Sequence, residues 1–151
     1  MCIRTMYLVT LDNGDLLLLV RYFCGRYHEA KTLHFDVFRV VYPGQLEWVR
    51  SLQDRAIFIG TNQAFSIKAA DYSGVRPNSI YFTYGIESYD MGIFTLKDRI
   101  ITPFNITRNK GQEKVPFLWV APASQQVLDN SKGGIIYEQS RFEDQIKDIV
   151  N

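Results

Sequence analysis

The sequence predicts an all-β fold, an antiparallel meander of about ten short strands, on three observations. Ten Phe, nine Tyr and two Trp among 151 residues suit pleated sheets, which accommodate aromatic side chains well. Short apolar runs alternate with Gly, Pro, Asn and Asp turn signals roughly every 8–12 residues, the rhythm of an all-β sandwich, barrel or propeller. Apolar strand starts centred on Leu18, Ile57 and Ile93 recur at spacings of 39 and 36 residues. That is close to the roughly 40–50 residues of one propeller blade, although any regular meander can echo in this way.

The elements follow in order. Tyr7–Leu11 and Asp15–Phe23 flank Asp12-Asn13-Gly14, and Asn-Gly is the strongest short hairpin signal because a type I′ turn needs positive φ at both central residues. The second strand is apolar at successive positions, so both its faces are expected to be covered. Gly25–Lys31 reads as a loop. Thr32–Tyr42 is a long strand with Phe38, Val40 and Tyr42 on one face and Phe35, Val37 and Val41 on the other. Pro43-Gly44 is expected to form a type II turn, returning as Gln45–Arg50. Strands follow at Arg55–Ile59, Ala64–Ala69, Ile80–Thr83, Gly92–Leu96 and Arg99–Thr102, with a loop over Asp71–Asn78 and turns over Gly85–Asp90 and Lys97-Asp98.

Beyond Pro103 the pattern loosens. Asn105–Lys114 and Ser124–Gly134 are polar, and Pro116–Val120 has room for one short strand. Phe142, Ile146, Ile149 and Val150 recur at helical spacing behind Ser140, a candidate N-cap. The expected organisation is therefore a β unit over residues 1–122 and a loose polar tail with a short terminal helix over residues 123–151.

Composition excludes several classes. With 46% apolar residues the chain can build a core and does not resemble a disordered segment. A formal charge of +1 provides no general field for nucleic acid or anionic membranes. A nucleic-acid reading would need a segregated basic face around Arg99, Arg108, Lys110 and Lys114. The longest apolar run, Leu16–Val20, is far short of the roughly 20 residues of a spanning helix. The N-terminus has no basic segment followed by an apolar stretch, so no signal peptide is expected, and the simplest compartment is cytoplasmic or nuclear. No disulfide framework is expected there, and Cys24 reads as a small, partly buried apolar residue.

No catalytic constellation emerges. Cys24, His28 and His34 lack a fourth ligand and the paired spacing of zinc sites, so no metal is expected. Asp12, Asp15, Asp36 and Glu47 have no acid/base spacing; no nucleophile elbow or phosphate loop appears, and no cofactor is implied. Asn105-Ile-Thr107 fits a glycosylation sequon that stays unmodified without secretion. Asp54-Arg55 reads as turn capping plus a donor fork linking neighbouring sheets. Asp90 with Gly92 likewise reads as turn chemistry. Of the aromatic group Tyr81, Phe82, Tyr84 and Tyr89, Phe82 is expected in the core, while Tyr84 and Tyr89 are candidates for a recognition surface.

Five ordered segments carry a family resemblance. Trp48-Val49 leads into Leu52–Gly60, similar to a "Leu-Gly-Asp-Arg-Ala-Leu-Phe-Leu-Gly" segment, with Gln53 in place of the usual Gly. Phe65–Ile67 and Ala69–Asp71 resemble its "Ser-Val-Ser-Ala" strand. Pro77–Thr83 resembles "Pro-Asn-Cys-Ile-Tyr-Phe-Thr", Asp90–Phe94 resembles "Asp-Met-Gly-Val-Phe", and Trp119–Pro122 resembles "Trp-Phe-Thr-Pro". The chain thus resembles the plant F-box-associated β-propeller family, long catalogued as a domain of unknown function, over roughly Tyr7–Pro122. It departs at Tyr84-Gly85, where members usually carry acidic residues.

The resemblance implies an incomplete propeller of about two to three late blades. Its motif residues Trp48, Asp54, Arg55, Gly60, Pro77, Asn78, Tyr81, Phe82, Asp90, Gly92 and Trp119 would be mainly structural. Outermost blades would present bare apolar faces larger than soluble monomers usually tolerate, so a protein partner or self-association is expected there. The function implied is that of a non-enzymatic interaction module resembling the substrate-recruiting propeller of cullin-type ubiquitin ligase receptors. It appears here without its F-box, as a truncated or decoy form for which no Skp-type adaptor binding is expected. The alternative is a small-molecule-binding or hydrolytic β-domain with a pocket near Tyr84–Tyr89.

Overall fold

A computed structural model of the chain describes residues 2–26, 29–42, 44–61, 63–83, 90–104, 119 and 142–149. The described residues form nine strands: β1 (Cys2–Thr10), β2 (Leu16–Cys24), β3 (Lys31–Val41), β4 (Gln45–Trp48), β5 (Arg55–Ile59), β6 (Ala64–Lys68), β7 (Ser79–Phe82), β8 (Gly92–Thr95) and β9 (Ile100–Pro103). A helix, α1, spans 142–149. The first four strands make an antiparallel meander in the order β1-β2-β3-β4, and the rest a five-stranded sheet ordered β6-β5-β7-β8-β9. Among the described residues the fold is all-β apart from α1, a 3-10 turn at Ala69–Asp71 and a single 3-10 residue at Glu29; the two blade-like sheets form no closed barrel there and are consistent with part of a propeller.

The sheets differ in one respect that the meander expectation does not contain: β5 and β7 pair in parallel, Ala56 opposite Ser79 through Ile59 opposite Phe82. Parallel neighbours need a crossover, which here contains the β6 hairpin and the 3-10 turn. Central strands of such a sheet are covered on both faces and read as continuous apolar runs. In β5, Ala56, Ile57, Phe58 and Ile59 are all buried, as are Ser79–Phe82 of β7.

The β1–β2 hairpin forms where Asn13-Gly14 places it, with Leu11 N–H donating to Asp15 O and Gly14 N–H to Leu11 O. The turn is not type I′. Gly14 alone takes a left-handed φ, +88°, while the Asn13 side-chain oxygen accepts the Asp15 N–H at 3.0 Å. The Asx bond satisfies the donor that a second left-handed residue would otherwise have to arrange. At the β3–β4 turn Gly44 supplies the positive φ, +69°; Pro43 lies outside the described residues.

The two sheets pack face to face. Leu17, Leu19, Phe35 and Val37 of the first meet Ile57, Ile59, Ile80, Phe82 and Phe94 of the second in one core. The opposite face of the second sheet forms another core. There Phe58, Tyr81 and Ile93 are covered by Trp119 and by Phe142, Ile146 and Ile149 of α1. Phe58 stacks on Tyr81 at 4.5 Å and meets Phe142 edge-on at 5.0 Å. Bare apolar faces were expected on both flanks; one of them is covered by the chain itself. The short strand expected at Pro116–Val120 falls outside the described residues except for Trp119, which is buried in no regular element.

A second correction concerns the cysteines. Cys2 and Cys24 are joined by a disulfide. The antiparallel register sets Cys2 directly opposite Cys24 at the open end of the hairpin, a cross-strand placement that brings side chains close enough to bridge. Reading the cysteines by compartment rather than by register concealed this.

Candidate interaction surface

Period-2 geometry divides the first sheet cleanly. Its inner face is core, and its outer face carries Met6 and Leu8 of β1, Leu18 and Val20 of β2, Phe38 and Val40 of β3, and Leu46 and Trp48 of β4. The ladder sets them side by side: Leu8 against Leu18, Leu18 against Phe38, and Phe38 against Trp48. Met6 is 58% exposed, Leu8 60%, Leu46 51% and Trp48 50%. Trp48 meets Phe38 edge-to-face at 5.0 Å. Charge enters this face only towards one end, where Arg4 and Asp36 lie beside the stacked pair Tyr22–His34 (4.5 Å). A flat, contiguous apolar sheet face is the surface class used for protein contact.

What holds this sheet in place is a polar lock that joins it to the second. Arg21 is fully buried, with Nε donating to Thr32 Oγ1 at 2.8 Å, Nη1 to Thr83 O at 3.1 Å and Nη2 to Asp90 Oδ2 at 3.0 Å. The same Asp90 oxygen accepts the Thr32 N–H at 2.8 Å and its hydroxyl at 2.5 Å. The guanidinium lies 4.8 Å from the Phe82 ring centre, a favourable cation–π position. Thr32 reaches the lock because the β2–β3 ladder slips between Tyr22 and Phe23. The slip leaves Leu33 bulged and 53% exposed, and turns Thr32 inward. Bulges re-aim side chains in this way.

A smaller bridge joins Arg55 Nη2 of β5 to Asp12 Oδ1 of the β1–β2 turn. The hydrogen bond from Arg55 holds the Asp12 carboxyl below its ordinary value of 3.8. Burial pushes the Tyr81 and Tyr72 hydroxyls upward.

The family-motif residues fall as follows. Trp48 is on the outer face. The Asp54 carbonyl accepts the Ala69 N–H at 2.8 Å, and Gly60 N–H donates to Gln63 O at 2.9 Å. Pro77 O accepts the Ser79 hydroxyl at 3.0 Å. Asn78 sits at φ +55°, with its Oδ1 accepting the Leu52 N–H at 2.8 Å, its N–H donating to Arg55 O and its carbonyl accepting the Leu96 N–H. The buried Tyr81 hydroxyl accepts the Arg76 N–H at 2.9 Å. A Cβ on Gly92 would meet Thr102 O at 2.7 Å, so β8 and β9 approach as only glycine permits. Trp119 Nε1 donates to Ile59 O at 3.0 Å, and Trp119 O accepts from Gln63 Nε2. Gln53 takes φ +56°.

Tyr84 and Tyr89, with the pocket expected beside them, lie outside the described residues, as do His28, Asn105, Arg108, Lys110 and Lys114. Among the described residues no group of three His, Cys, Asp or Glu side chains could hold a metal. Among the described residues no helix is long and apolar enough to cross a membrane. Sequence reasoning missed Arg21 and Thr32. The available signal was an arginine in the middle of an apolar strand, where a charge persists only if it is paired.

Comparison with known proteins gives this geometry a context. The sequence model of a family described as KIB1-4 beta-propeller matches residues 1–95. The F-box protein At2g17690 of Arabidopsis thaliana is 42% identical over 74 residues, 48% of this chain and 17% of that protein. The putative F-box protein At3g25750 of the same plant is 30% identical over 93 residues, 59% of this chain and 25% of its own length. The chain therefore matches at most about a quarter of the length of these relatives. No solved structure matches.

Proposed function

The chain belongs to the KIB1-4 β-propeller family, and from that premise we propose that it is a non-catalytic protein-interaction module of the substrate-recruiting kind found in plant F-box receptors of cullin-type ubiquitin ligases. The observation that carries the reading is the outer face of the first sheet, where Met6, Leu8, Leu46 and Trp48 are each at least half exposed. The occupant we assign to this face is a second apolar sheet supplied by another copy of the chain, because the face is of the same kind as the inner one already packed against the second sheet. We assign the Skp-type adaptor no contact with these sheets.

Light scattering across a concentration series tests the proposed use of this face. The wild-type chain should rise towards twice the single-chain mass. Met6→Glu combined with Leu8→Glu, both on exposed positions, should keep it single with an unchanged circular-dichroism spectrum. A wild-type chain that stays single throughout the series, or a double variant that associates equally, overturns the proposed use of this face.

A further inference from the structure

A cleft of about 420 Å³ opens where the two sheets diverge, between the end of β4 and the β8–β9 turn. This is within the range of ligand-binding clefts. Its floor is apolar: Phe35 and Val37 of β3, Val49 just past β4, and Leu96 just past β8. Trp48 also lines it, although its ring packs on Phe38 of the outer face. The rim consists of three cations, Arg50, Lys97 and Arg99. Arg99 is already bonded to Asp36 Oδ1 at 3.0 Å, whereas Arg50 and Lys97 are exposed and make no ion pair among the described residues. Asp98 lies between Lys97 and Arg99 in sequence but does not line the cleft. In a chain of formal charge +1, this clustering gives the cleft mouth a local excess of positive charge.

We propose that this cleft binds an acidic peptide segment of a partner protein, with one aromatic or branched apolar side chain on the floor and flanking carboxylates on Arg50 and Lys97. The distribution of polarity selects a peptide over a metabolite. Small-molecule pockets place a few polar groups deep inside to fix orientation, whereas here the floor is apolar and every charge stands at the solvent edge. An apolar centre with a charged rim is the anatomy of a protein-recognition site. Arginine's planar fork also suits carboxylates. The mouth adjoins β4, a terminal strand of its sheet, so an extended segment can lie alongside it.

The proposal rests on the reading of the chain as an interaction module but uses residues distinct from Met6 and Leu8, so either can fail alone. An array of short peptides, each with one Phe, Leu or Ile between glutamate or lysine flanks, is probed with the full chain. Glutamate-flanked peptides should be retained and lysine-flanked ones not. In fluorescence anisotropy with the best retained peptide, Arg50→Glu with Lys97→Glu should weaken binding about tenfold or more. Raising salt from about 50 to about 300 mM should also weaken it. Both substitutions are on exposed side chains, and circular dichroism confirms that the fold is kept. Equal retention of lysine-flanked peptides, an unchanged affinity in the double variant, or phenylacetate alone binding as tightly as the peptide would each overturn it.

Discussion

Arg21 and Asp90 stand 69 residues apart in the chain and meet at 3.0 Å in the interior, with the Arg21 side chain fully buried and that of Asp90 only 10% exposed. They join β2 to the residues leading into β8, and thereby one sheet to the other. Removing one partner of a buried pair leaves an uncompensated charge, a loss of about 3–5 kcal/mol. Arg21→Met and Asp90→Asn should each reduce the free energy of urea unfolding by roughly that amount. Their combination should lose clearly less than the sum, because the second change removes the stranded charge. Additive losses would mean that the two groups do not act as a pair.

Gln53 holds a left-handed backbone at φ +56°, where an L side chain is disfavoured by roughly 1–2 kcal/mol. Gln53→Gly relieves this while giving the unfolded chain more freedom, so the expected net gain is about 1 kcal/mol. Asn78 shares the conformation but adds the Oδ1 bond to Leu52 N–H. There Asn78→Gly should lose about 1–3 kcal/mol, the penalty for leaving a buried donor unmet. Opposite signs for two left-handed sites, read from thermal melts, are the signature; a destabilised Gln53→Gly would contradict the strain account.

The Cys2–Cys24 link spans 22 residues and closes the far end of the first hairpin. Reduction, or Cys24→Ser, should lower stability by about 2–4 kcal/mol, with the earliest loss of amide-exchange protection in β1. Thiol titration of the denatured chain without reductant should find no free thiol. Two free thiols per chain would remove the basis for this expectation.

Asp12 gives the stability a definite acid limb. Its carboxyl is lowered below 3.8 chiefly by the hydrogen bond from Arg55. A group depressed only in the folded state contributes stability that is present above its unfolded value and is lost as pH falls through the folded value. Wild type should therefore exceed Asp12→Asn at neutral pH, and the difference should shrink towards zero well below 3.8. A gap independent of pH would show that the ionised pair is not its source.

Much of the architecture was legible because its signals are local. Asn13-Gly14 and Pro43-Gly44 marked the hairpins of the first sheet, and alternation in Thr32–Tyr42 correctly separated Phe35 and Val37 from Phe38 and Val40. The rest depends on long-range pairing, to which local patterning is blind. A period of two says that a face is apolar but not what covers it, so the same pattern described the bare outer face of β1–β4 and the α1-covered face of β5, β7 and β8. The parallel β5–β7 contact needed the crossover, and the lock needed the Leu33 bulge, which inverts Thr32 against the parity of its strand. The cleft is likewise assembled from the ends of separate strands, and its rim residues Arg50 and Lys97 look like ordinary surface charges in sequence.

The helix over 142–149 has a further consequence for assembly. It covers one face of the second sheet, whereas the outer face of the first sheet stays exposed among the described residues, so the two flanks are not equivalent. Were two copies to pair through that exposed face as proposed above, each would meet the other through the same surface, a closed arrangement of two rather than an open row.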